Sequence, residues 1–106
     1  MAGEKSRIQI WYDLAKANDQ ANKLDEAAKA IKRESERFEG CRSEVTRAWE
    51  GDNAARFAGK MDVVTSDLKT LAKQLEATAD VIRKNARNIY DAEMEAKRLA
   101  DIRNHS

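Results

Sequence analysis

Proline does not occur in these 106 residues, and glycine occurs only four times. With so few residues that break or bend a helix, long uninterrupted helices are expected. Aromatic residues make up 6%, too few for an ordinary compact core. Cys41 is the single cysteine, so no intrachain disulfide can form; it reads as a small buried hydrophobe. The single histidine, His105, is the penultimate residue. No glycine-rich phosphate loop and no Glu-x-x-His metal motif is present. The chain is therefore read as a non-enzyme, with no catalytic, metal-binding or cofactor-binding residue assigned.

No stretch approaches the ~18 apolar residues of a membrane span. The opening Met-Ala-Gly-Glu-Lys-Ser-Arg is not followed by a pure apolar run. The expectation is a protein made in the cytoplasm without a cleaved signal peptide. Basic residues number 20 and acidic residues 19, for a net charge of +1. They are interleaved through both halves, which argues against a nucleic-acid surface. The same balance argues against a membrane-active basic helix.

What remains is charge at 37% and a narrow apolar seam. On the first half the seam runs in steps of three and four through Leu14, Ala17, Ala21, Leu24, Ala28, Ile31, Ser35, Phe38, Arg42, Val45 and Trp49. The second half repeats it through Phe57, Met61, Val64, Leu68, Leu71, Leu75, Thr78, Ile82, Asn85 and Ile89, and on to Leu99. Such a heptad pattern keeps one helix face toward a partner. Asn85 reads as a buried register-setting amide or a solvated one. Val63, Ala72, Ala79, Val81 and Ala86 flank the second seam and widen it, so that it can touch more than one neighbour. Gly40 is the weak point of the first helix, yet the spacing crosses it without slipping, which favours a continuous helix.

The pattern stops once, at Ala48-Trp49-Glu50-Gly51-Asp52-Asn53-Ala54. Gly51 suits the left-handed residue that ends a helix. Asp52 or Asn53 can cap the next helix, and Ser6 the first. Trp49 is expected to fold back as a lid over the joint. The chain is thus predicted to be all-α: one domain over 1–106, with helix 1 at about 6–49, a turn at 50–52 and helix 2 at about 53–102. Residues 1–5 are expected to fray. In an antiparallel hairpin centred on Gly51, facing positions should sum to about 102. That puts Arg42 near Asp62 and Trp11 near Tyr90, and leaves residues after about Ala96 overhanging. A lone hairpin leaves part of each seam wet. The seam of Leu24, Ile31, Phe38, Phe57, Val64, Leu68, Leu71, Leu75, Ile82 and Ile89 is therefore expected to build an elongated four-helix bundle with a second hairpin.

Trp49-Glu50-Gly51 near mid-chain is followed by Ala54-Ala55, Phe57, the spaced Leu68, Leu75 and Ile82, and a late Tyr90. With these residues the chain resembles the WXG family, hairpin proteins of this length similar to the early secreted antigens of mycobacteria and their relatives in other Gram-positive bacteria. The resemblance covers almost the whole chain. It implies export by type VII (ESX) secretion as a homodimer or paired with a related chain, and contact of the Trp49 region with the secretion ATPase. The alternative is a cytoplasmic adaptor or chaperone that binds the helical N-terminal domain of a larger toxin and targets it for export. The family's export signal is a tyrosine or phenylalanine followed four residues later by an acid. Here Tyr90 is followed at that distance by Met94, with Glu93 and Glu95 on either side. Either Glu93 stands in for the acid, or a partner chain carries the signal.

Overall fold

The computed structural model describes residues 5–105. Met1 and the other positions before Lys5, part of the segment expected to fray, lie outside the described residues. Two α-helices, α1 (Arg7–Ala48) and α2 (Asp52–Asn104), account for nearly all of the rest. There is no strand among the described residues, and the fold is an all-α antiparallel hairpin. α1 passes through Gly40 without a break.

α1 opens on a reciprocal cap. The Gln9 amide donates to Ser6 Oγ at 3.2 Å, and the Ser6 amide donates to Gln9 Oε1 at 2.9 Å. This Ser-x-x-Gln box satisfies two donors that the first turn leaves free. At the far end Trp49 N donates to Val45 O at 2.8 Å, and Gly51 then takes φ 98°. Ala55 N donates to Gly51 O at 3.2 Å, so Gly51 itself stands at the head of α2. Asp52 lies inside the first turn, where its charge suits the positive end of the helix dipole, rather than in the cap position read from sequence.

By contact the chain divides into two units: a turn unit, Leu24–Ala77, and a terminal unit, Met1–Lys23 with Thr78–Ser106. In the turn unit the buried residues are small. They are Ala28 and Ser35 on α1, and Ala54, Ala58, Met61, Thr65 and Ala72 on α2. In the terminal unit they are Ile10, Ala21 and Ala79. Along each helix most of this line recurs every seventh residue: Ala21, Ala28 and Ser35; Ala58, Thr65, Ala72 and Ala79. Side chains this short let two helices approach closely. The Ser35 hydroxyl is satisfied at no cost to the partner helix, donating to Lys32 O at 2.7 Å. On α2 the buried line falls one residue on from the series Phe57, Val64, Leu71 and Thr78.

In the turn unit, residues three past each buried α1 position (Ile31, Phe38) share one flank, and those four past it (Lys32, Glu39) share the other. The second flank is laced across the helices. Lys32 Nζ meets Glu76 Oε1 at 2.6 Å, Lys69 Nζ meets Glu39 Oε1 at 2.5 Å, and Arg42 Nε meets Asp62 Oδ1 at 2.7 Å. The partners' numbers add to 108, 108 and 104, two to six residues beyond the register centred on Gly51, under two helical turns.

Candidate interaction site

The sequence points to three regions: the turn, the apolar flank and the tail of α2. At the turn, Trp49 does not close over the joint. It is 59% exposed. The residues buried at this end of the pair are instead the small Ala54 and Ala58. Glu50 and Gly51 are exposed beside it. A Cβ on Gly51 would meet nothing within 4 Å, so only its backbone conformation calls for glycine.

On the apolar flank of the turn unit, Leu24, Ile31, Phe38, Phe57, Leu68 and Leu75 are half-buried. Val64 and Leu71 are more exposed, at 39% and 42%. A row of large aliphatic and aromatic side chains therefore stands only partly covered beside the alanine line. Cys41 is exposed, not buried as its residue type suggested, because α1 turns its alanines and Ser35 inward and Cys41 off that line. In the terminal unit Ile82 is half-buried and Ile89 exposed. Asn85 is solvated.

The tail is better anchored than the sequence implied. α2 runs to Asn104, and Arg7 Nη2 is paired with Asp101 Oδ2. The Arg7 hydrogen bond holds the Asp101 carboxyl below its ordinary value of 3.8. Asp101, beyond Ala96, thus has a partner on α1. Tyr90 and Glu93 line one groove of about 240 Å³ with Ile10, Leu14 and Ala86. The Arg87 guanidinium sits 5.2 Å from the Tyr90 ring centroid, within cation–π range. Ile10, rather than Trp11, is the residue packed there; Trp11 is 59% exposed. Of the two acids beside Met94, Glu93 turns toward the groove. Glu95 is held in a fork by Arg98, at 2.6 and 3.0 Å, and that hydrogen bonding lowers its pKa.

Sequence reasoning missed Lys5. Its Nζ lies 2.9 Å from Asp13 Oδ2 and 3.3 Å from Glu93 Oε2. The Ser6-x-x-Gln9 box was the available signal, since it fixes the start of α1 and so sets Lys5 just ahead of it. Among the described residues no group of histidine, cysteine and carboxylates is placed to hold a metal.

A hairpin turning at Trp49-Glu50-Gly51, proline-free and heptad-patterned on both arms, has a counterpart among known families. Residues 9–94 match the family described as WXG100, proteins of 100 residues with WXG. The chain belongs to the WXG100 family. WXG100 proteins are small helical proteins associated with type VII secretion, and the family is not one of enzymes. Self-association or association with a partner of WXG type goes with that role. No curated protein and no solved structure matched this WXG100 chain. No described helix is long and apolar enough to cross a membrane.

Proposed function

We propose that this WXG100 protein is a substrate or partner of a type VII secretion system, and that it works by protein–protein contact as a dimer. The observation that carries the reading is the partly covered apolar flank of the turn unit. Leu24, Ile31, Phe38, Phe57, Val64, Leu68, Leu71 and Leu75 form one row, and a second hairpin laid on it completes a four-helix bundle. The partner is a second copy or a related WXG-type chain; in the terminal unit Ile82 and Ile89 are offered to it as well. Export is read from the tail, where Tyr90 and Glu93 present an aromatic ring and an acid at one groove; the exposed Trp49 is available to the secretion ATPase.

Light scattering on the pure protein at micromolar concentration tests the first part. The expected mass is about 24 kDa, twice the 12.0 kDa of the chain. A stable, fully helical monomer would refute it. Secretion from the native host tests the second. Glu93→Gln should reduce the exported fraction while the folded protein accumulates inside the cell. Export that survives this change would place the signal on a partner chain.

A further inference from the structure

The start of α1 and the tail of α2 are joined by contacts that the dimer reading does not use. Lys5 stands ahead of the helix, positioned by the Ser6–Gln9 cap. Its amine bridges Asp13, two turns into α1, and Glu93 on α2. The Glu93 side chain is 26% exposed, and Lys5 forms part of the rim of the groove that Tyr90 and Glu93 line. The hydrogen bonds to Asp13 and Glu93 also raise the affinity of the Lys5 amine for its proton. We propose that Lys5 is a clasp: it ties the entry of α1 to the tail of α2 and covers Glu93, so a protein reading the Tyr90–Glu93 edge must first displace the Lys5 amine. The consequence for export rests on the reading of Tyr90 and Glu93 given above.

The contact is suited to being exchanged. Lys5 and Asp13 are each about half exposed, and ion pairs in such positions hold weakly because water and salt compete for both charges. The displaced amine leaves two carboxylates beside an aromatic ring and an apolar floor of Ile10, Leu14 and Ala86. That arrangement suits an arginine or lysine side chain presented by the reader, with its stem on the floor and its charge between Asp13 and Glu93. Lys5 is in this sense the chain's own stand-in for its reader.

Two measurements test this. In the purified protein, reductive methylation followed by mass spectrometry reports how available each lysine amine is. Lys5 should react several-fold more slowly than it does in Glu93→Gln, where one carboxylate of the clasp is gone; equal rates in the two proteins overturn the clasp. In the host, Lys5→Ala should raise the exported fraction roughly two- to five-fold, the range an exposed ion pair can supply, with Lys60→Ala as a control that changes nothing. Unchanged or reduced export of Lys5→Ala beside normal export of the parent overturns the masking role. Absence of export from the parent itself would count against the secretion reading, and the methylation rates would still decide whether the clasp forms.

Discussion

Trp49 and Gly51 are two residues apart and contribute in opposite ways. Trp49 is the larger by far, yet its ring is mostly in water, so Trp49→Ala should shift stability by no more than about 0.5 kcal/mol. Gly51 touches nothing, yet its φ of 98° is one that a side-chain-bearing residue adopts at a cost. Gly51→Val should destabilise by about 1–2 kcal/mol through the backbone alone. Thermal melts of the two variants should therefore rank them against side-chain size. A large loss in Trp49→Ala would mean that the indole is covered in solution, by a partner chain or by the turn itself.

At the scale of the helix, the alanine line is the feature to perturb. Ala72 is fully buried. Ala72→Leu inserts three carbons where the helices are closest and should cost about 1–3 kcal/mol; Ala77→Leu on the exposed side of the same helix should cost almost nothing. The last turns of α2 can be probed by pH. Arg7 lowers the Asp101 pKa below 3.8, so the pair stabilises the tail above that value and is lost as pH falls through the lowered value. Amide exchange around Asp101 should accelerate in that acidic window, and Arg7→Gln should weaken the pH response, leaving only the smaller effect of Lys97 and His105.

The two helices and their turn were legible because the absence of proline, the steps of three and four, and Gly51 all point the same way. The line of closest approach was less so. Periodicity finds the apolar face of a helix, but large residues dominate the pattern, whereas closeness selects small ones. Hence Ala58, Thr65, Ala72 and Ala79 are buried while their neighbours Phe57, Val64 and Leu71 are not fully covered. Trp49 and Cys41 failed for a related reason: residue type predicts burial on average, whereas here Trp49 stands just past the end of α1 and Cys41 lies off the buried line. The pairing of Arg42 with Asp62 was readable, because a turn of known position fixes what can face what. Lys5 was only half readable: the Ser6-x-x-Gln9 box sets it just ahead of α1, but nothing in a helical pattern says that it reaches Glu93 on α2.

For the molecule as a whole, burial of alanine removes little apolar surface from water per residue, while the large side chains in the turn unit remain partly wet. The hairpin should therefore gain much of its stability from association. The melting temperature should rise with protein concentration, as mass action requires of a dimer. Leu68→Asp combined with Leu71→Asp should lower the apparent mass toward 12.0 kDa and remove the concentration dependence. A melting temperature independent of concentration in the parent would show that the row is covered in some other way.

Alanine against alanine is also nearly anonymous. A seam that repeats every seventh residue looks much the same after one helix slides past the other by a heptad, so packing alone gives the chain little means of knowing where it is. The signs of the charges beside the seam supply the missing address. In place, Lys32 meets Glu76 and Glu39 meets Lys69. Slid one heptad in one direction, Glu39 would face Glu76 and Arg42 would face Lys69. Slid the other way, Lys32 would face Lys69 and Glu39 would face Asp62. Each error sets like charge against like. The alternation acts as a parity check, contributing little to the strength of the correct pairing and marking the nearest wrong ones.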